Sequence, residues 1–185
     1  DGSITSTVSA NPTSGFSVLT YTGVSNGTVG HGLGSTPSMI IVKSRGSQNW
    51  FVYHTSLGAT KYMTFSADGA TTQSGSWNNT APTSSVFTTG SFFSTNSMVA
   101  YCFAPIAGYS AFGSYTGNGS TNGAFVHLGF RPAFVMIKRS SSTGDWFVYN
   151  NKTAPINVVS PYLVWNSSAI EGTYTTLDFL SNGFK

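Results

Sequence analysis

Charge is what this sequence has least of. Only 13 of its 185 residues are charged, 8 Lys or Arg and 5 Asp or Glu, or 7% of the chain, against roughly 25% in ordinary soluble domains. Ser, Thr, Asn and Gly must therefore make the surface. That suits an exported or extracellular object such as a surface layer, a fibre or a virion protein. The net charge of +3 rests on few groups, and Lys138 and Arg139 are the only adjacent basic pair. Neutralising a row of phosphates needs a basic patch, so nucleic acid is not an expected partner.

Cysteine is nearly missing as well. Cys102 stands alone, which excludes disulfides within the chain and thiolate metal clusters. In "MVAYCFAP" it reads as a small buried hydrophobe. No apolar run approaches the roughly 18 residues of a membrane span, so membrane insertion is not expected. No leader precedes Asp1, no initiator Met is present, and the chain stops at "SNGFK" in mid-pattern; we therefore expect a piece of a longer polypeptide. Helix signals are also scarce, because no stretch sustains a 3.6-residue period and the Gly, Ser and Thr content makes a helix costly.

What is present is aromatic and β-forming. The chain holds 14 Phe, 9 Tyr and 4 Trp, with 39% hydrophobic residues, enough to exclude a disordered chain. At this length it can bury roughly 70% of its unfolded surface. Short runs such as "FSVLTYT", "SMIIVKS", "WFVYH", "KYMTFS", "SVFTT", "MVAYCFA", "AFVMIKR", "DWFVYN" and "YLVW" are rich in β-branched and aromatic residues and are bounded by Gly, Asn, Ser and Pro. The fold class is all-β, a β-sandwich.

The chain also repeats itself. "MIIVKSRGSQNWFVY" from Met39 returns as "VMIKRSSSTGDWFVY" from Val135, and "GFSVLTYTG" from Gly15 returns as "GYSAFGSYTGNG" from Gly108. Pro37 answers to Pro132, Lys43 to Lys138 and Trp50 to Trp146, the offset drifting by single residues as expected of insertions in turns. "SVFTTGSFF" has a weaker counterpart in "LDFLSNGFK". The first copy then runs on through "SMVAYCFAP", whereas the second ends first, so one strand of the second unit is expected outside this chain. The expected organisation is a lead-in over 1–14, a first β-repeat over 15–107 and a second over 108–185, lacking its last strand. "APIAG" between them is too short and apolar for a flexible linker, so the copies should pack together. Two small sandwiches in tandem and one larger, concanavalin-like sandwich both fit.

Each repeated phrase reads as a hairpin: two apolar strands around a polar loop, with apolar residues on both faces and hence a layer over each. Trp50 and Trp146, inside apolar strands, read as core. Lys43 and Lys138 read as strand-end lysines whose ammonium reaches solvent.

Catalytic readings find little support. Paired acid–base chemistry on a glycoside needs two carboxyl groups roughly 5–9.5 Å apart, and among Asp1, Asp68, Asp145, Glu171 and Asp178 only Glu171 and Asp178 are close in sequence, across the turn-like "GTYTT". His31, His54 and His127 lack metal-ligand spacing, no GxSxG occurs, and "GHGLGSTP" precedes no helix that would bind phosphate. The chain is read as not an enzyme, with no cofactor and no metal. For binding, Trp77 in "GSWNNTAP" and Trp165 in "VWNSSAI" stand beside Asn78 and Asn166 in less periodic stretches, the construction of a sugar-stacking site. Arg131 has Thr36 as its counterpart and is an interface candidate of the second unit alone. Sequons at Asn26, Asn78, Asn118, Asn151 and Asn166 matter only in a eukaryotic secretory pathway.

The motifs "GFSVLTYTG", "VGHGLGSTPSMIIVKSRGSQNWFVYH", "WNNTAPTSSVF", "VAYCFAPIAGYSAFGSYTGNG", "GFRPAFVMIKR", "WFVYN" and "EGTYTTLDFLSNGFK", in that order, resemble a duplicated β-domain that recurs in tail-fibre and other virion-surface proteins of marine bacteriophages. The resemblance spans nearly all the chain. It implies a lectin-like β-sandwich on a larger virion protein, at the virion surface or otherwise extracellular. It supplies no catalytic residues, and such domains continue past "SNGFK". The partners it implies are other virion proteins and further copies of the chain, with a host surface glycan as the alternative ligand.

Overall fold

A computed structural model describes residues 2–69, 71–72, 75–93 and 95–185, with the backbone alone at 71–72 and 174–176. The protein is an all-β sandwich. Its chain divides into two compact units, Asp1–Phe65 with Ala70–Ile106, and Ser66–Gly69 with Ala107–Lys185.

The first unit contains β1 (Ser6–Asn11), β2 (Phe16–Thr22), β3 (Thr28–Gly30), β4 (Met39–Ser44), β5 (Trp50–His54), β6 (Lys61–Thr64), β7 (Thr71–Thr72), β8 (Val86–Thr88) and β9 (Ser97–Phe103). Seven of them form one antiparallel sheet in the order β1-β2-β9-β4-β5-β6-β7, and β3 pairs with β8. Period-2 alternation turns Leu19 and Tyr21 of β2, Ile40 and Val42 of β4, Phe51 and Tyr53 of β5, and Met98, Ala100 and Cys102 of β9 to one face. There they form one core with Val29, Phe87, Trp77 and Phe93. Ile41 and Val52 on the opposite face are buried too, as strands apolar on both faces require. The segment read as a lead-in supplies the edge strand β1, polar and largely exposed, which discourages further pairing there.

The second unit contains β10 (Val126–His127), β11 (Phe134–Lys138), β12 (Trp146–Asn150), β13 (Val159–Val164), β14 (Gly172–Leu177), β15 (Phe179–Leu180) and β16 (Gly183–Phe184). One sheet runs β11-β12-β13-β14 and a smaller one β10-β16-β15. Val135, Tyr149, Val159, Leu177, Phe179 and Phe184 form its core. Pro161 sits in β13 where the register with β14 shifts, a position that tolerates its missing N–H. Each unit thus has its own core.

The repeated phrases fold alike. Lys43 pairs with Trp50 and Met39 with His54 across β4 and β5; Lys138 pairs with Trp146 and Phe134 with Asn150 across β11 and β12. Both hairpins close onto the preceding segment, through Thr55 N–H to Ser38 O at 2.8 Å and Asn151 N–H to Ala133 O at 3.0 Å.

Three expectations need correction. Trp50 is not core: it is 37% exposed and lies against Tyr101 and Phe65, centroids 6.3 and 5.7 Å away. Its counterpart Trp146 is 3% exposed. The lysine ammonium groups are not simply solvated, because each is held by carbonyls around its hairpin loop: Lys43 Nζ donates to Gly46 O at 3.2 Å and to Gln48 O, and Lys138 Nζ to Gly144 O at 2.8 Å and Arg139 O at 3.0 Å. Finally, "GTYTT" is not a turn but most of β14.

Candidate functional site

Two places in the second unit carry the features of a binding surface. The first is the end of β12 and β13. Trp165 follows β13, and its N–H donates to Trp146 O at 2.9 Å, extending the ladder by one residue. Asn166 then braces the corner with both polar atoms: its Oδ1 accepts from Trp146 N–H at 2.8 Å and its Nδ2 donates to Asp145 Oδ1 at 2.9 Å. Trp165 is 53% exposed, so this corner leaves aromatic surface open, on which an apolar ring face can stack. Lys138 lies at the other end of the Trp146 pair. Desolvation lowers its pKa, opposed by the nearby Asp68 and Asp145 carboxylates.

The second place is a cavity of about 290 Å³. Ile137, Phe147 and Tyr149 from β11 and β12 line it, with Tyr115, Phe184 and the polar loop at Asn118. The rings of Tyr115 and Phe184 meet edge-on at 5.9 Å, and burial, with a smaller contribution from Tyr149, raises the Tyr115 phenol pKa. Sequence reasoning missed this cavity, although its wall residues are the counterparts of Tyr21, Val42, Phe51 and Tyr53 in the first copy.

Trp77 does not have the exposure that a stacking site needs. It is 2% exposed, its indole N–H donates to Lys61 O at 3.1 Å, and its ring packs edge-on against Tyr53 at 5.7 Å. A Trp whose N–H finds a carbonyl is stable inside a core, and an irregular stretch of chain carries it there. Asn78 is exposed and, with Asn79, takes a left-handed backbone (φ 47° and 51°) that Asn tolerates better than most residues; it makes the turn after Trp77. Trp77 and Asn78 stand in the first unit, Trp165 and Asn166 in the second. Arg131 is exposed, just before the buried Pro132.

The remaining candidates disperse. Glu171 and Asp178 flank opposite ends of the six-residue β14, about 20 Å of extended chain, so they are not the close pair their spacing suggested. Asp145 is engaged by Asn166, Asp68 accepts from Ser66 Oγ at 2.7 Å, and Asp1 lies outside the described residues. Among the described residues no three His, Cys, Asp or Glu side chains gather where a metal would bind, and no helix is long and apolar enough to cross a membrane.

His31 is fully buried, with Nδ1 accepting from Leu33 N–H at 3.3 Å and Nε2 facing Thr83 O at 3.1 Å. This fixes a neutral ring with its proton on Nε2. Desolvation lowers its pKa, opposed by the Thr83 bond. His54 accepts from Ser56 N–H at 3.2 Å, and His127 is exposed beside Phe125.

These features define a two-unit all-β sandwich with an exposed tryptophan and an aromatic cavity. The chain belongs to the family described as "Domain of unknown function (DUF7483)", which matches residues 1–185. No curated protein and no solved structure matches it.

Proposed function

We propose that this chain is a non-enzymatic structural and adhesion module on the surface of a bacteriophage particle, in a tail fibre, a spike or a capsid decoration. The observation that carries the reading is a β architecture with few charges, 13 charged residues in 185, joined to the resemblance between its motif order and virion-surface repeats. Neutral hydroxyl and amide side chains keep such a surface soluble without the long-range repulsion that would hinder close assembly of many copies. Its partners are other virion proteins and further copies of itself, in closed symmetry. Light scattering on the purified chain at high concentration and mass spectrometry of purified particles test this. An oligomer present in particles supports it; a monomer absent from particles overturns it.

A second reading, recognition of a host surface glycan, is favoured by the exposed indole of Trp165 beside Asn166 and Asp145. A glycan array tests it, with Trp165→Ala as the control: hits that vanish in the variant support it, and hits that persist, or no hits, remove it.

A further inference from the structure

The first unit shows what surrounds β4. On one side is β5 and on the other β9, which in turn pairs with β2. The second unit reproduces these surroundings except for one strand. Among the described residues β11 pairs with β12 alone, and Phe134 at its start is 51% exposed. Residues 109–116, the sequence counterpart of β2, form no strand.

Yet that segment enters as β2 does. Gly108 adopts the left-handed φ of its counterpart Gly15, 74° against 66°, a conformation that Gly takes without strain. Its Tyr115 meets Phe184 edge-on at 5.9 Å, as Tyr21 meets Phe87 at 6.0 Å in the first unit. The segment and β11 are the sequence counterparts of β2 and β4, the two strands that flank β9 in the first unit. The interior agrees, because the cavity of about 290 Å³ is lined by Tyr115, Ile137, Phe147 and Tyr149. Their counterparts Tyr21, Val42, Phe51 and Tyr53 pack in one core with Met98, Ala100 and Cys102 of β9. The cavity is where the inward side chains of a β9-like strand would lie.

We propose that the second unit is an acceptor for one further β-strand, inserted between β11 and residues 109–116 and antiparallel to both. The occupant is a polypeptide strand from outside residues 1–185 with the chemistry of Ser97–Phe103: apolar residues at alternate positions, the central one small. The register follows from the first unit, where Val42 faces Ala100 and Ile40 faces Cys102, so a small residue meets Ile137. Main-chain bonds on two edges supply affinity and the inward side chains supply selectivity, the logic of strand addition. A second copy of this chain is a poor occupant, because its own β9 is already paired on both edges. The inference does not depend on the virion reading.

The test uses the 185-residue chain and a synthetic peptide carrying the sequence of Asn96–Ala104, with Cys102→Ser and terminal lysines for solubility. Hydrogen exchange is followed by mass spectrometry. The expected result is joint slowing of amides in 134–138 and in 109–116, by roughly tenfold or more at saturation. A peptide with Ala100→Glu loses the effect, since an unpaired carboxylate would enter an apolar cavity. Ala111→Pro in the chain, at an exposed coil position, weakens peptide binding without changing the melting temperature. The inference is overturned if neither segment slows, if 134–138 slows without 109–116, or if protection of 134–138 rises with protein concentration in the absence of peptide, which would mean that a second copy occupies the edge.

Discussion

Tyr115 and Phe184 meet edge-on at 5.9 Å and 80°, almost the arrangement of Tyr21 and Phe87 at 6.0 Å and 73°. The two phenols nevertheless differ in surroundings. Tyr21 is buried in the core beside β9, and among the described residues its hydroxyl has no hydrogen-bond partner, whereas Tyr115 is exposed and lines the cavity. A buried unsatisfied hydroxyl carries a desolvation cost with no return. Tyr21→Phe should therefore stabilise the protein by about 1 kcal/mol, while Tyr115→Phe should change stability by less than about 0.5 kcal/mol. Urea unfolding of both variants checks the contrast.

His31 should make stability depend on pH. Its neutral ring is held between Leu33 N–H and Thr83 O, and a proton on Nδ1 would be directed at the Leu33 N–H. With the folded pKa lowered, the unfolded chain binds more protons below the ordinary histidine value of about 6.5. Stability is then full above that pH and falls as pH drops through it, by at most about 1.4 kcal/mol per pH unit for one such group. His54, also lowered by burial, adds a contribution of the same sign. Unfolding free energies between pH 7.5 and 5 should decline, and His31→Gln should flatten the decline.

Cys102 lies on the inner face of β9, fully buried, and burial pushes its thiol pKa up to about 12. Only the thiolate reacts with alkylating agents. Labelling of the native protein by iodoacetamide should be negligible over hours at pH 8 and become complete in denaturant.

Trp77 and Trp165 should separate stability from recognition. Trp77→Ala removes a core ring and strands the Lys61 carbonyl, and should cost about 3–5 kcal/mol. Trp165→Ala should cost less than about 1 kcal/mol. Thermal unfolding of the two variants checks the difference.

The strands were legible wherever apolar residues alternate or run together, so β2, β4, β5, β6, β8, β11 and β12 fall inside the runs marked from sequence, as do all of β9 but Ser97 and the Tyr162–Val164 half of β13. Strands held by position rather than pattern escaped: β1 is polar because it is an edge, and β14 hid in "GTYTT". The segment 109–116 has the strand chemistry of its counterpart β2 but is not a strand in the fold. Exposure was harder to read than pairing. Trp50 and Trp146 hold the same place in identical hairpin registers yet differ in burial, and Trp77 reaches the core from an irregular stretch that periodicity cannot interpret. The cavity was invisible from sequence because it is made by several segments, among them β11, β12 and the loop at Asn118, that meet only in the fold.

The most direct measurement of the open edge at β11 is residue-resolved hydrogen exchange by NMR on the chain alone, comparing β4 with β11. Every amide of a strand paired on both sides is protected, whereas a strand paired on one side leaves alternate amides open. The account predicts slow exchange throughout Met39–Ser44 and a slow–fast alternation through Phe134–Lys138. Uniform protection of Phe134–Lys138, equal to that of Met39–Ser44, would contradict it.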